Sequence, residues 1–333
     1  MAAVTGVALV GAGYWGQRLA RNLASASGCE LRVVCDHHAE RARAVVDAFG
    51  GMPASSLTDA LTDDAVGAVV LATPSATHAS LVTEALASSR HVLVEKPLAS
   101  CAADAALLAA RAAERGLVVM CDQTYRFAPA VAAIGARLAD PAFGPLMWVE
   151  SCRTNRGHDQ PDVDVFWDLA YHDLAIVDAV VPAGLRGTVE VSATAQDVRG
   201  RGRAHCGELT LDFAAGPRAR ITVDWHAATK LRAMRFASAA HEVTWDDADV
   251  PVVRHDERAV PVAAAEPLAA VVAEFLAAVA ERRPATCGPA QELPILIVLA
   301  AASESAAHGG TPVPVDLADR AGGPADDDTA VVA

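Results

Sequence analysis

Lysine is almost absent from this sequence. Of its 27 basic residues, 25 are arginine, and the two lysines are Lys96 and Lys230. This bias is typical of GC-rich coding, in which arginine supplies a positive charge wherever only a charge is needed. A lysine that persists in such a chain therefore indicates a position where a guanidinium, which does not deprotonate in practice, would not serve.

Several other features are also missing. The net charge of −14 argues against nucleic acid or an anionic membrane as a partner. Although 53% of the residues are hydrophobic, no run approaches the roughly 18 apolar residues of a membrane span. The N-terminus, MAAVTGVALVGAG, has no basic segment before its apolar residues, so we predict no signal peptide.

The cysteines and histidines form no recognisable motif. The seven cysteines are scattered, odd in number and without a CxxC pair, which is typical of the reduced thiols of a cytoplasmic protein. His158 and Asp159 are adjacent, but no HxH, HExxH or cysteine cluster completes a metal site. We therefore expect a cytoplasmic protein without a bound metal.

The first 122 residues alternate between apolar runs and helical stretches. The apolar runs are 7–11, 31–36, 65–74, 91–97 and 117–122, and the helical stretches are 15–25, 38–48, 77–88 and 101–115. Apolar strands separated by helices predict a parallel sheet covered on both faces. Right-handed crossovers then give an α/β fold in which residues 1–122 form a doubly wound, dinucleotide-binding Rossmann domain.

After Pro129, apolar and polar residues alternate, as in antiparallel strands with one wetter face. The predicted strands are 146–153, 188–198, 206–213 and 218–226, and the predicted helices are 166–181, 267–283 and 289–310. We predict a C-terminal α+β domain at 123–317, with an open, mainly antiparallel sheet, and a disordered tail at 318–333. An open sheet needs a cover, so we expect a homodimer or homotetramer formed through it.

A glycine motif follows the first strand and opens a helix. In GAGYWG, Gly11 permits a tight turn, Gly13 lets the backbone approach a pyrophosphate, and Gly16 lets the helix pack on the strand. The helix N-terminus then offers free N–H groups to the phosphates. Asp36 ends the second strand, where a carboxylate binds a ribose 2′-OH and repels a 2′-phosphate, so we predict NAD rather than NADP as the cofactor.

Lys96 lies at the carboxyl end of a predicted strand, in HVLVEKPLAS. In a doubly wound fold this end of the sheet binds the ligand, and Thr73 and Pro74 lie at the same end of the preceding strand. An amine that is partly shielded from water beside the cofactor is expected to have a depressed pKa. Such an amine can take part in a proton relay.

These segments resemble a known family. GAGYWG (11–16), ATPSATH (72–78), HVLVEKPL (91–98), TYRFAPAV (124–131), WDLAYHD (167–173) and EPLAAVVAEFLAAV (266–279) are similar, in this order, to the glucose–fructose oxidoreductase/inositol dehydrogenase family (Gfo/Idh/MocA). The resemblance covers nearly the whole chain. It implies that Lys96, Asp168 and His172 are catalytic. It also places the motif residues Tyr14, Trp15, His78 and Glu95 at the cofactor site, although the family counterpart of His78 has a packing role.

The spacing of Asp168 and His172 agrees with this assignment. Residues four positions apart stack on one face of a helix, and Ile176 and Val180 continue that face as an apolar stripe. Polar side chains on a buried stripe need partners, which a cleft facing Lys96 would provide. The alternative is that Asp168 caps the helix and His172 is a core histidine.

The segment before Asp168 departs from the family pattern. Many relatives have a GGG stretch there, whereas this chain reads DVDVFWD. Relatives that act on sugar nucleotides, such as UDP-N-acetylglucosamine 3-dehydrogenases, can also lack those glycines. The resemblance therefore favours a sugar nucleotide or aminosugar as substrate.

Two further groups are candidates for substrate binding. Arg153, Asn155 and Arg156 could bind a phosphate, a carboxylate or sugar hydroxyls, or they could be ordinary residues of a solvated loop. Tyr125 and Arg126 either face the cleft or pack at the hinge between the domains.

The sequence thus predicts an NAD-dependent oxidoreductase acting on a secondary alcohol or ketone of a sugar, cyclitol or nucleotide sugar. His172 would exchange the hydroxyl proton, Lys96 would bind the same oxygen or tune the histidine, and Asp168 would orient the imidazole or bind a neighbouring hydroxyl. Two alternatives remain open. One is an NAD-dependent glycosidase that uses transient oxidation, and the other is a catalytically silent NAD-binding sensor.

Overall fold

The first sheet of the protein is parallel and doubly wound. The computed structural model describes residues 4–157, 159–181, 184–247 and 250–317. Six strands, β1 (Thr5–Val10), β2 (Cys29–Cys35), β3 (Met52–Ala54), β4 (Val66–Leu71), β5 (His91–Glu95) and β6 (Val119–Asp122), pair in the order β3-β2-β1-β4-β5-β6. The helices between them are α1 (Tyr14–Ser25), α2 (Ala39–Phe49), α3 (Leu57–Ala60), α4 (His78–Ala87) and α5 (Ala102–Arg115). The Rossmann prediction is confirmed. Only the short elements β3 and α3 were not predicted.

The second sheet is larger than predicted. Its strands are β7 (Trp148–Arg156), β8 (Thr188–Gln196), β9 (Cys206–Phe213), β10 (Arg218–Asp224), β11 (His226–Ala237), β12 (Glu242–Asp246), β13 (Val252–His255), β14 (Arg258–Val260) and β15 (Val313–Asp316). They pair in the order β14-β13-β12-β11-β7-β10-β9-β8-β15, and every neighbouring pair except β7 and β10 is antiparallel. The predicted mainly antiparallel sheet is confirmed, but β11–β15 were missed.

One face of this sheet is buried and the other is polar. The buried face packs against α6 (Pro129–Leu138), α7 (Tyr171–Val180) and α9 (Pro289–Ala307). The other face carries cross-strand ion pairs, such as Arg218 with Asp212 at 3.1 Å, beside a Trp148 side chain that is 44% exposed. Homo-oligomerisation through this face stays a prediction. The tail at 318–333 lies outside the described residues.

The predicted helix 166–181 is two elements. Residues Phe166–Ala170 form a π-helical turn, and α7 follows from Tyr171 to Val180. The wider turn means that Asp168 and His172 do not stand on one regular α-helical face. Such turns occur frequently at functional sites.

The chain returns to the first core after building the second sheet. Helix α8 (Pro267–Glu281) buries Val271 and Phe275 completely against β1 residues such as Leu9. Its apolar face therefore completes the core of the Rossmann sheet. By packing, α8 belongs to the N-terminal domain rather than to the predicted unit 123–317.

By its length and composition, helix α9 could cross a membrane. No segment of this kind was predicted from the sequence. Half of its most apolar window is buried inside the protein. Ile295 and Leu299 pack in the C-terminal core, whereas Leu296 packs in the N-terminal one. The helix therefore wedges between the two sheets.

Replacing Phe275 tests the role of α8. Phe275→Ala removes a fully buried ring from the first core, and we expect it to lower the free energy of unfolding by about 3–5 kcal/mol. Urea unfolding followed by tryptophan fluorescence measures this loss. The control Leu107→Ala, at a side chain that is 56% exposed on α5, should change stability by less than about 0.5 kcal/mol. Equal effects in the two variants would contradict the packing assigned to α8.

Candidate functional site

The glycine turn has the geometry that a dinucleotide needs. Gly11 has a φ of +96°, and a Cβ there would lie 2.4 Å from the Ala72 carbonyl oxygen. A Cβ on Gly16 would lie 1.9 Å from the Gly11 carbonyl oxygen, so α1 can approach the turn only without a side chain. A Cβ on Gly13 would meet nothing within 4 Å, which leaves open space in front of the α1 N-terminus. These residues fit a bound pyrophosphate.

A cleft of about 660 Å³ begins at this turn. Its lining includes the predicted residues Gly11, Gly13, Asp36, Thr73 and Pro74 and also His37, His38 and Arg41. The Asp36 carboxylate accepts hydrogen bonds from the backbone N–H groups of Ala12 and His38, each at 2.8 Å. In a Rossmann fold, a carboxylate at the end of the second strand hydrogen-bonds the ribose of the dinucleotide.

Tyr14 and Trp15, the two aromatic residues of the glycine motif, make different contacts. Trp15 Nε1 donates to Asp122 Oδ2 at 2.9 Å, which ties α1 to the end of β6. Tyr14 is 73% exposed and lies outside the lining of the cleft, with the Arg18 guanidinium 3.6 Å from its ring centroid. Asp122 was missed from the sequence, although its place at a strand end next to β5 could have indicated it.

His78 has a structural role. It is 1% exposed, and its two ring nitrogens lie 2.7 Å from the Pro97 carbonyl oxygen and 2.9 Å from the Thr73 carbonyl oxygen. Burial lowers the pKa of its imidazole. Both nitrogens are occupied by backbone groups, so the predicted cofactor contact of His78 is corrected to packing behind the cleft.

Lys96 and Asp168 meet in a buried ion pair. Lys96 Nζ lies 2.9 Å from Asp168 Oδ1 and 3.0 Å from the Asp168 carbonyl oxygen, and both side chains are about nine-tenths buried. Trp225 Nε1 donates to the other carboxylate oxygen of Asp168 at 2.8 Å. The predicted meeting of the two residues across the domains is therefore present. Trp225 had no sequence signal because it reaches Asp168 from a distant strand end.

The depressed pKa expected for Lys96 is wrong. Burial alone would lower the pKa of this amine, but the negative charge of Asp168, followed by that of Glu95 once it ionises at alkaline pH, outweighs burial and raises the pKa above its ordinary value. Lys96 therefore stays protonated at neutral pH. An ammonium has three N–H donors, and Asp168 takes two of them, which leaves one for another acceptor.

Glu95 is held mostly neutral beside this pair. Burial, followed by the neighbouring charge of Asp122, raises the pKa of Glu95 to about 8. One of its oxygens accepts a hydrogen bond from the Lys96 backbone N–H. Burial also raises the pKa of Asp122. Burial thus raises the pKa of both carboxyl groups at these two strand ends.

His172 is a neutral imidazole in the same site. Burial, and then the positive charges of Lys96, Arg153 and Arg232, hold its pKa well below the ordinary value. Its ring centroid lies 5.0 Å from that of Tyr125 and 5.9 Å from that of Tyr171. No residue in the described part of the chain hydrogen-bonds to its ring nitrogens, so the imidazole is free to exchange a proton with a ligand.

The arginines predicted for substrate binding are already occupied. Arg153 is 3% exposed, and its Nε and Nη2 lie 2.9 and 2.7 Å from Asp173 Oδ1. Arg126 Nη1 donates to Asp178 Oδ2 at 2.7 Å and joins the hinge to α7. The substrate role of these two residues is corrected to support of α7, because Arg153 is buried against Asp173 and Arg126 is paired with Asp178.

The remaining candidates lie at the rim of the site. The Tyr125 ring contacts the His172 ring. The guanidinium of Arg153 lies over the Tyr125 ring, 4.4 Å from the centroid of that ring. Asn155 is half-buried and Arg156 is exposed at the end of β7. Arg232, which was not predicted, lies 5.8 Å from the Tyr125 ring centroid and 3.9 Å from Asp247 Oδ2. Arg232 was not predicted because strand β11, in which it lies, was itself not recognised from the sequence.

The site therefore combines a dinucleotide cleft with a proton acceptor and a fixed positive donor. Asp168 holds the ammonium of Lys96 in place, and the neutral imidazole of His172 is near enough for the charge of Lys96 to lower its pKa. This arrangement suits removal of a hydroxyl proton as a hydride leaves the same carbon. The fold and the site define an oxidoreductase with a Rossmann domain.

Comparisons with known proteins agree with this class. The profile of an oxidoreductase family with an NAD-binding Rossmann fold, Gfo/Idh/MocA, matches residues 5–123. A UDP-N-acetylglucosamine 3-dehydrogenase of Acidithiobacillus ferrooxidans is 30% identical over 298 residues, which are 85% of this chain and 90% of that protein. The chain belongs to the Gfo/Idh/MocA family and is an NAD(P)-binding oxidoreductase.

Solved structures extend the likeness to both domains. GenD2 from gentamicin A biosynthesis, in complex with NAD, has a TM-score of 0.84 and 25% identity, covering 95% of this chain and 97% of its own. KijD10, a 3-ketoreductase from Actinomadura kijaniata in complex with TDP-benzene and NADP, has a TM-score of 0.82 and covers 91% of this chain and 98% of its own. At 20% identity, the second likeness concerns the fold alone.

Other curated relatives match over less of their length. A 4-carboxy-2-hydroxymuconate-6-semialdehyde dehydrogenase of Sphingobium is 36% identical over 124 residues, and a D-apiose dehydrogenase of Paraburkholderia graminis is 30% identical over 145. The matched parts span about two fifths of these relatives, 39% and 38% respectively.

Removing the ammonium tests the electrostatics of the site. In Lys96→Met we expect the pKa of His172 to rise towards its ordinary value, because a neighbouring positive charge is lost and Asp168 is left unpaired. NMR titration of the imidazole, assigned with His172→Gln, measures the shift. The control Lys230→Met removes the other lysine and should leave this pKa unchanged. An unchanged pKa in Lys96→Met would show that the two groups are not close.

Proposed function

We propose that the protein transfers a hydride between a nicotinamide cofactor, preferably NAD(H), and a secondary alcohol or ketone of a sugar, cyclitol or nucleotide sugar. The observation that carries the proposal is the meeting of Lys96 and Asp168 beside the unpaired imidazole of His172. Gly11, Gly13, Gly16 and Asp36 would hold the dinucleotide.

His172 and Lys96 have different roles at the reacting oxygen. In the oxidation direction, the neutral imidazole of His172 accepts the hydroxyl proton while the C–O bond becomes a carbonyl. The remaining N–H of the Lys96 ammonium donates to the same oxygen and stabilises its negative charge as the proton leaves. The bound dinucleotide supplies the hydride acceptor, C4 of its nicotinamide. In the reduction direction, His172 returns the proton to the new alkoxide.

Asp168 is a positioning residue in this scheme. Its carboxylate is held by Lys96 on one oxygen and by Trp225 on the other, so both oxygens are occupied. It therefore fixes the direction of the ammonium rather than taking the substrate proton. The alternative that Asp168 only caps its helix is disfavoured by these two contacts.

Support for a nucleotide sugar comes from charge and space at the rim. Arg232 is about one-third exposed, and Lys230 is exposed on the same strand. A cavity of about 720 Å³ opens beside Tyr125 and is lined by Trp245 and Asp247. Cationic side chains next to an aromatic-lined cavity suit a substrate with a diphosphate and a base. The relative from Acidithiobacillus ferrooxidans, a UDP-N-acetylglucosamine 3-dehydrogenase, is consistent with this class.

Removing the reacting groups tests the catalytic roles. We expect His172→Ala and Lys96→Met each to reduce turnover by about 10²–10⁴-fold, because each removes one partner of the reacting oxygen. NADH absorbance with a panel of inositols, hexoses and nucleotide sugars identifies the substrate, and fluorescence titration should show nearly unchanged cofactor affinity.

Near-wild-type turnover in both variants would refute the assignment. Sugar release without net NADH production would identify a glycosidase that uses transient oxidation. Cofactor binding without turnover on any member of the panel would identify a sensor.

Charge near the ribose tests the cofactor preference. We expect Asp36→Asn to weaken selectivity for NAD over NADP by at least about tenfold, because it removes a charge that repels a 2′-phosphate but keeps the acceptor for Ala12 N–H. The ratio of kcat/KM for the two cofactors measures this change. As the matched control, Arg41→Met removes a cation from the same cleft and should change the ratio in the opposite direction. A ratio that is equal in wild type and Asp36→Asn would contradict the role of the carboxylate.

A further inference from the structure

Two histidines and an aspartate converge outside the cleft. Asp159 follows β7, His205 precedes β9, and His226 is the first residue of β11. Their nearest ligand atoms all lie within 4.8 Å of one another. His226 Nε2 is 2.7 Å from Asp159 Oδ1, and His205 Nε2 is 3.8 Å from Asp159 Oδ2. The three residues are far apart in the sequence and form no motif.

Four polar atoms of this cluster are buried without hydrogen bonds. Asp159 Oδ1, His226 Nε2 and both ring nitrogens of His205 have no hydrogen-bond partner among the described residues. His205 is completely buried. His226 Nε2 and Asp159 Oδ1 lie 2.7 Å apart, but the angle between them is not that of a hydrogen bond. Such an angle is expected if both atoms bind the same metal ion. Buried polar atoms without hydrogen bonds lower the stability of a folded protein. We therefore expect a ligand that contacts all three residues.

We propose that Asp159, His205 and His226 bind a divalent transition-metal ion, with zinc as the best match. Two imidazoles and a carboxylate suit Zn²⁺ better than Mg²⁺ or Ca²⁺, which prefer oxygen ligands. A water molecule would complete the four ligands. The sequence-based prediction of no metal depended on local spacing, and it paired Asp159 with His158, which lies outside the described residues.

The surroundings of His205 support this assignment. Its Nδ1 lies 3.1 Å from Asp197 Oδ1, on the side away from Asp159. A histidine that ligates a metal through one nitrogen commonly directs the other to a carboxylate, which fixes the ring. The backbone is also anchored, because His205 N–H donates to the Gln196 carbonyl at 2.9 Å and its own carbonyl accepts from Trp225 N–H at 3.0 Å. The backbone of His205 is thus fixed, and its Nδ1 lies next to the Asp197 carboxylate without a hydrogen bond to it.

Two arginines contact the proposed metal ligands, and only Arg199 must move when the ion binds. Arg201 Nη1 is 3.2 Å from Asp159 Oδ2, the oxygen opposite the His226 contact, and can stay there when a metal binds Oδ1. Arg199 Nη2 lies 3.3 Å from His226 Nδ1. A metal on Nε2 requires a hydrogen on Nδ1, so Arg199 must leave this contact. Arg199 is exposed, and the contact can be exchanged for water at little cost.

The ion would be structural. Gln160, Pro161 and Asp162 line the cofactor cleft directly after Asp159, and Asp162 Oδ2 accepts hydrogen bonds from the Ser75 backbone and hydroxyl at 2.7 and 2.8 Å. A metal on Asp159 would therefore fasten this segment to β9 and β11. The ring of Trp225, whose indole holds Asp168, lies between the cluster and the catalytic pair.

Metal titration of the full-length protein tests the proposal. After treatment with a chelator and its removal, Zn²⁺ and Co²⁺ are added alone. Co²⁺ reports its ligands through visible absorption, and competition with a chelating dye gives the affinity. We expect one ion per chain and a higher Tm. We expect Asp159→Asn and His226→Gln to weaken binding by at least about tenfold.

The control lies in a second, more exposed group on the same chain. His241, His255 and Asp256 are also close together, but His241 Nδ1 already pairs with Asp256 Oδ2 at 2.7 Å. His241→Gln should therefore bind metal as the wild type does. Less than one ion per wild-type chain would overturn the proposal. So would equal affinity in all variants, or a loss confined to His241→Gln. Thermal unfolding of each metal-free variant confirms that it is folded.

Discussion

The ammonium of Lys96 follows a strand of the first sheet and the carboxylate of Asp168 lies in the π-helical turn before α7, and their contact at 2.9 Å joins the cofactor domain to the substrate domain. Both groups are nearly removed from water, so each is the counterion of the other. Breaking such a pair by removing one partner typically costs 3–5 kcal/mol. The contact also raises the pKa of the amine, and the positive charge of the amine, after burial, lowers the pKa of the neighbouring imidazole.

A second buried network supports the helix that carries His172. Glu292 on α9 is completely buried and accepts hydrogen bonds from the Tyr171 hydroxyl and the Gln123 amide. Burial raises the pKa of this carboxyl group. These bonds tie α7, α9 and the segment after β6 together directly beneath the active site. The imidazole of His172 therefore stands on a helix that is fixed by polar contacts as well as by apolar packing.

The sequence predicted what depends on short-range patterns and missed what depends on distant contacts. Gly11, Gly16 and Asp36 were recognisable because a turn, a helix start and a strand end are local features. Lys96 and Asp168 were paired through a family resemblance, and the geometry agrees with it. The raised pKa of Lys96 was not predictable, because it depends on how closely a carboxylate 72 residues away approaches. For the same reason Arg153 resembled a free anion-binding residue until its partner Asp173 was seen.

The return of α8 to the first sheet also has a consequence for how this protein is made. The ribosome completes β1 to β6 long before it reaches Phe275, yet the Rossmann core is not closed without that ring. The early part of the nascent chain must therefore keep an apolar surface uncovered while most of the second domain is synthesised. Final closure of the cofactor domain is a late event in biosynthesis, even though its sequence comes first.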